Sequence, residues 1–226
     1  MNLSTNYFQE FPKEIGNLFS LKRLELDYNV IEKLPKEIGN LINLKELDLC
    51  NNIYLHELPK EIGNLINLKE LNLRQNNLKE LPKEIGNLIN LEELDLFGNI
   101  FLIELSEEIK DLINLEEFDL GYIGLKELPK EIGNLINLEK LNLYKNNLTE
   151  FPKEIGNLIN LNELDLNNNK FNELSNKIFM NLKGMNLKKL PSALFNIKGL
   201  EIIELDISFN QLTELPSTIK YAKSIK

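Results

Sequence analysis

The sequence predicts a single α/β solenoid: a curved, right-handed coil with a parallel β-sheet on its concave face and short turns or 3₁₀ segments on its convex face. Three observations carry that prediction. A segment beginning at Leu21 returns at Leu44, Leu68, Leu91, Leu115, Leu138 and Leu161, at spacings of 23 or 24 residues. In the first half of each copy leucines alternate with polar residues, and in the second half Pro, Ile and Gly recur at fixed offsets. A unit this short cannot bury its own apolar face, so successive units must stack.

Taken in order, residues 1–20 are a partial N-terminal repeat, because Leu3 and Asn6 align with part of one unit. Residues 21–183 hold seven near-regular repeats. Each opens on a strand such as Leu24-Glu25-Leu26, Leu47-Asp48-Leu49 or Leu71-Asn72-Leu73, where the period of two points leucines inward and polar residues outward. An Asn follows where the chain turns inward (Asn29, Asn52, Asn76, Asn99, Asn146, Asn169, Asn210), and its amide can satisfy backbone groups left unpaired there. Pro35, Pro59, Pro82, Pro129 and Pro152 then stop the strand, and Gly39, Gly63, Gly86, Gly133 and Gly156 are expected to permit a tight bend. Residues 184–201 read as an abbreviated, irregular repeat, because Leu166 and Leu182 occupy equivalent strand positions too close together for a full unit. Residues 202–226 supply a last strand and turn, for about nine strands in all.

The template L-x-x-L-x-L-x-x-N-x-L-x-x-L-P-x-E-I-G-N-L-x-N resembles the leucine-rich-repeat family, in its bacterial form, along almost the whole chain. The resemblance implies a non-catalytic module that binds a protein partner on its concave face, as in bacterial host-interaction proteins or signalling scaffolds. Two other readings are a structural, self-assembling repeat protein and the repeat region of an effector whose catalytic part is absent. Weak self-association through the uncapped ends is a corollary of the first of these.

Departures from the template mark individuality. The repeats at Leu44 and Leu91 carry one extra residue, giving the apolar pairs Ile53-Tyr54 and Ile100-Phe101, of which one member each is expected to reach solvent. Ile123 stands where the ladder Asn belongs, between Gly121 and Gly124, and Ser106 stands where Pro belongs.

Composition narrows the chemistry. Thirty-five acidic against 26 basic residues give a net charge of -9, which disfavours nucleic acid and favours partners with a basic surface. Cys50 is the only cysteine, so no intrachain disulfide forms. No apolar run approaches the roughly 20 residues a membrane-spanning helix needs. The N-terminus lacks the basic start and apolar stretch of a secretory signal, so the expectation is a soluble protein, cytoplasmic unless an upstream signal has been removed. Cys50 and His56 form no catalytic signature, and each Gly-Asn-Leu segment offers one glycine where a phosphate cradle needs several. No cofactor is expected. Outward carboxylates at Glu46 and Asp48, Glu93 and Asp95, Glu117 and Asp119, Glu163 and Asp165, and Glu204 and Asp206 make the sheet face acidic, a pattern read as a solvated strand face rather than a metal site.

Function should therefore lie in the variable columns after each strand. The first reads Asp27, Cys50, Arg74, Phe97, Gly121, Tyr144, Asn167 and the second Tyr28, Asn51, Gln75, Gly98, Tyr122, Lys145, Asn168. Tyr, Phe and Arg are favoured interface anchors, so Arg74, Phe97, Tyr122 and Tyr144, ringed by Glu93, Asp95, Glu117 and Asp119, form the candidate partner-binding patch.

Overall fold

The computed structural model describes residues 1–150, 152–170, 177–184, 187–195 and 201–221. Seven three-residue strands form one parallel sheet in sequence order: β1 (Arg23–Glu25), β2 (Glu46–Asp48), β3 (Glu70–Asn72), β4 (Glu93–Asp95), β5 (Glu117–Asp119), β6 (Lys140–Asn142) and β7 (Glu163–Asp165). Their central residues, Leu24, Leu47, Leu71, Leu94, Phe118, Leu141 and Leu164, are in register and buried. The partial first repeat lies beside β1, with Leu3 and Thr5 donating to the carbonyls of Glu25 and Asp27 at 2.9 Å.

Among the described residues the strands fall into two sheets rather than one. β8 (Lys177–Asn181) pairs only with β9 (Glu201–Asp206), through a shifted register at Ile178 and Phe179. Asp165 and Lys177 stand closer in sequence than the facing ends of any two neighbouring strands of the first sheet. A 3₁₀ turn, Ser192–Phe195, packs against the chain leading into β7: the Ala193 N–H donates to the Leu161 carbonyl at 3.2 Å. The irregular repeat expected at 184–201 lies partly outside the described residues.

Five-residue 3₁₀ segments make the convex wall: Lys13–Asn17, Lys36–Asn40, Lys60–Asn64, Lys83–Asn87, Glu107–Asp111, Lys130–Asn134 and Lys153–Asn157. Proline starts each except Glu107–Asp111. Pro35, at φ -68° and ψ 146°, has the extended geometry from which its carbonyl accepts the Ile38 N–H at 3.0 Å. The glycines here lie inside these tight 3₁₀ turns without a positive φ. They also make room. A Cβ on Gly133 would stand 2.7 Å from the Glu154 carbonyl oxygen of the next coil, inside van der Waals contact.

The asparagine ladder forms as expected. Asn52 is fully buried; its Nδ2 donates to Leu26 O at 3.0 Å and Leu49 O at 2.9 Å, while its Oδ1 accepts from Ile31 N at 3.1 Å. Each amide thus joins two coils with nearly all its valences used. Where Ile123 replaces the ladder Asn, the preceding rung adapts. Asn52 donates its backbone N–H to Asn76 Oδ1 at 3.0 Å, but Asn99, facing Ile123, turns that N–H back to Leu96 O at 3.3 Å.

In the two overlong repeats both members of each apolar pair are exposed, not one. Ile53, Tyr54, Ile100 and Phe101 are all about half exposed, because Leu55 and Leu102 fill the inward slot. The extra residue closes a small turn, with Leu55 N donating to Asn52 O at 2.8 Å and Leu102 N to Asn99 O at 2.9 Å. No helix among the described residues is long and apolar enough to cross a membrane.

Candidate functional site

The concave face is built from two outward strand positions and the turn that follows. From β2 to β7 the second outward position is filled by Asp or Asn for a local reason. Asp95 Oδ1 accepts the Phe97 N–H at 2.8 Å and Asp119 Oδ1 the Gly121 N–H at 2.8 Å, and Asn72 and Asn142 do the same for Arg74 and Tyr144. These side chains hold the chain as it leaves the strand. Three residues beyond that position the backbone is left-handed in repeat after repeat, with φ 53° at Tyr28, 55° at Gln75, 54° at Tyr122 and 55° at Lys145.

That turn gathers most of the predicted patch. The Arg74 guanidinium lies 4.0 Å from the Phe97 ring centre, and its Nη1 reaches Asp95 at 3.4 Å and Asp119 at 3.7 Å. Phe97 meets Tyr122 edge-on, ring centres 6.3 Å apart. Phe97 is half-buried because it rests on Gly121, where a Cβ would stand 2.7 Å from the ring. Lys145 Nζ covers the far side of Tyr122 at 3.9 Å from its centre. A diagonal stack of cation, ring, ring and cation results. Tyr144 does not join it: its carbonyl accepts the Tyr122 N–H at 2.7 Å, and its ring has no aromatic partner among the described residues.

Beside the stack runs the first outward column, where Arg23, Glu46, Glu70, Glu93, Glu117, Lys140 and Glu163 are paired strand by strand. Four successive glutamates are bounded by two cations. Arg23 pairs with Glu46, and Lys140 with Glu117 at 2.5 Å, which leaves Glu70 and Glu93 in the middle with no salt bridge among the described residues. Desolvation, then the neighbouring Glu117 and Glu70, raises the Glu93 pKa. Asp95 and Asp48 are raised too, chiefly by burial, against the lowering effect of their turn hydrogen bonds. Among the described residues no three His, Cys, Asp or Glu side chains are grouped to hold a metal ion.

Cys50 and His56 are not brought into a working pair. Cys50 is buried, and desolvation followed by Asp48 pushes its thiol up to about 11, far from a reactive thiolate. His56 is exposed, its Nδ1 3.3 Å from the Asn77 carbonyl.

Sequence reasoning passed over Glu70, Gly121 and Lys145. Lys145 carried a signal, since it follows Tyr122 in the same left-handed column, but the neighbouring aromatic Tyr144 drew the choice.

Comparison with known proteins follows the same lines. A family model described as a leucine-rich repeat region matches residues 1–99, and a leucine-rich-repeat model matches residues 137–158. A leucine-rich-repeat protein of Leptospira interrogans is similar over 98% of this chain at 37% identity, with a TM-score of 0.59. The leucine-rich-repeat ectodomain of the Arabidopsis thaliana receptor kinase GASSHO1/SCHENGEN3, solved in complex with Casparian strip integrity factor 2, is similar over 99% at 30% identity and TM-score 0.69. A Listeria monocytogenes internalin, at 21% identity and TM-score 0.65 over the full chain, shares the fold. The chain spans 63%, 26% and 64% of these three proteins. No curated protein matches the sequence.

Proposed function

The chain belongs to the leucine-rich-repeat proteins, and from that premise we propose that it is a non-catalytic protein-binding module that takes a partner with a basic surface against its concave face. The observation that carries the reading is the central Glu70 and Glu93, in no salt bridge among the described residues, lying in one column beside the Arg74–Phe97–Tyr122 stack. Acidic side chains steer and orient a basic partner, and the stacked rings offer a firm apolar anchor whose conformation is held before binding. Lysines or arginines of the partner would pair with Glu70 and Glu93, and an apolar or aromatic side chain would press on Phe97 and Tyr122. The plant ectodomain crystallised with its protein ligand supports the class of activity. A bacterial host-interaction or scaffold protein is the finer role we attach to such a module.

Affinity capture tests it. Immobilised wild type is compared with a Glu70→Lys, Glu93→Lys variant against host and bacterial lysates. Proteins held by the wild type and released from the variant, with binding weakened by salt, are the expected result. Identical captured sets would place binding elsewhere.

A further inference from the structure

One flank of the solenoid carries a pattern that the concave face does not use. Ahead of each strand, Ile42, Ile66, Ile89, Ile113, Ile136 and Ile159 occupy the same place in successive coils, each between 47% and 53% exposed, and Phe19 extends the row at 64%. The row is held straight by a second asparagine ladder on the surface. Asn67 Nδ2 donates to Ile42 O at 2.8 Å, Asn90 to Ile66 O at 2.7 Å, and Asn114 to Ile89 O at 2.7 Å. The apolar row is therefore rigid and continuous, and at roughly 600 Å² it equals the largest patch typical of a monomer.

A charged column borders it. The residues are Lys22, Lys45 and Lys69 in the first three repeats and Glu92, Glu116 and Glu139 in the next three. Lys45, Lys69, Glu92 and Glu116 line one shallow groove with the ladder asparagines Asn67, Asn90 and Asn114, and Lys69 pairs with Glu92 at its middle. The order of charges is self-complementary. A second copy turned end for end about the Lys69–Glu92 midpoint sets Lys22 against Glu139, Lys45 against Glu116 and Lys69 against Glu92. The same rotation sets Ile66 against Ile89 and Ile42 against Ile113.

We infer that this flank is the interface of an antiparallel, two-fold homodimer. A two-fold contact uses one patch on both partners, so the patch must complement itself when reversed, as this column does. With roughly 600 Å² of apolar surface per copy, joined by its charged rim, the interface exceeds about 1,000 Å² in total, the size at which specific association begins. The concave face stays open in both copies, so the dimer presents two binding surfaces and is independent of the partner proposed above.

Sedimentation velocity on the full chain, up to about 100 µM, where even a weak dimer of this size is populated, tests the inference. The wild type should sediment as a dimer that dissociates with added salt. Lys22→Glu, Lys45→Glu and Glu116→Lys, Glu139→Lys double variants should each be monomeric, and their equimolar mixture should form a heterodimer, which also shows that both variants fold. A wild type that remains monomeric, charge variants that still dimerise, or a mixture that stays monomeric would each overturn it.

Discussion

The Arg74 guanidinium stands 4.0 Å from the Phe97 ring centre while its Nη1 reaches carboxylates on two successive coils, Asp95 at 3.4 Å and Asp119 at 3.7 Å. One cation therefore ties together three neighbouring repeats. Because its side chain remains 40% exposed, the gain is modest. In a double-mutant cycle with Arg74→Gln and Phe97→Leu, urea unfolding should give a coupling of about 0.5–1 kcal/mol. Strict additivity would mean that the stacked geometry contributes nothing in solution.

Asp95 makes a pH prediction. Burial, the largest effect, raises its pKa; the Phe97 N–H lowers it, Asp119 raises it, and Arg74 lowers it. A carboxylate raised in the folded state binds its proton more tightly there than in the unfolded chain. The resulting stability is fully present below the unfolded value, about 3.9 for aspartate, and is lost as pH rises through the folded value. At neutral pH the charged Asp95 is thus a burden. Asp95→Asn keeps the acceptor for Phe97, as Asn72 and Asn142 do for Arg74 and Tyr144. The variant should melt higher than wild type at neutral pH, with the gap closing in acid. A lower neutral melting temperature would show that the Arg74 pairing outweighs the burial.

How much of this was legible follows from what each residue type reveals. The inward leucines and ladder asparagines recur with no competing explanation, so the coil could be read directly. The interval between Leu166 and Leu182 predicts an interruption, and among the described residues β8 pairs with β9 alone. In the sequence Asp95 and Asp119 look like solvated carboxylates ringing the candidate patch, because each stands beside a glutamate. The clue to their turn-holding role was the column itself, which from Asp48 to Asp165 holds only Asp or Asn. The surface ladder at Asn67 and Asn90 was hidden for a similar reason, since an exposed asparagine has no obligatory partner. Lys145 follows Tyr122 in its column, yet the aromatic Tyr144 beside it looked the stronger anchor, whereas Lys145 is the residue that covers Tyr122.

Ser106 is the one place where a convex 3₁₀ segment of the seven-stranded coil starts without proline, and it is poorly served. Its Oγ is buried with no hydrogen-bond partner among the described residues, and its backbone, at φ -73° and ψ 158°, already suits proline. Ser106→Pro removes the unsatisfied hydroxyl and restricts the unfolded chain. It should stabilise by about 1 kcal/mol, read as a higher urea midpoint at unchanged slope. Destabilisation would mean that proline does not fit this coil as it fits its neighbours.

The asparagine ladder offers a comparison between two rungs of the same chemistry and different burial. Asn52 is fully buried, and truncating it strands the carbonyls of Leu26 and Leu49 and the N–H of Ile31 away from water. Asn169 makes the equivalent bonds, to Leu143 O at 2.8 Å, Leu166 O at 3.0 Å and from Leu148 N at 3.1 Å, but is only partly buried. Water can replace its amide. Asn52→Ala should therefore cost about 3 kcal/mol, and Asn169→Ala about 1 kcal/mol, because unsatisfied groups incur their full desolvation penalty only where solvent cannot enter. Urea unfolding with hydrogen exchange at Ile31 and Leu148 separates the two, since only the Ile31 amide should lose protection by as much as the global stability falls. Equal losses at both sites would show that the ladder acts through turn geometry rather than through buried hydrogen bonds.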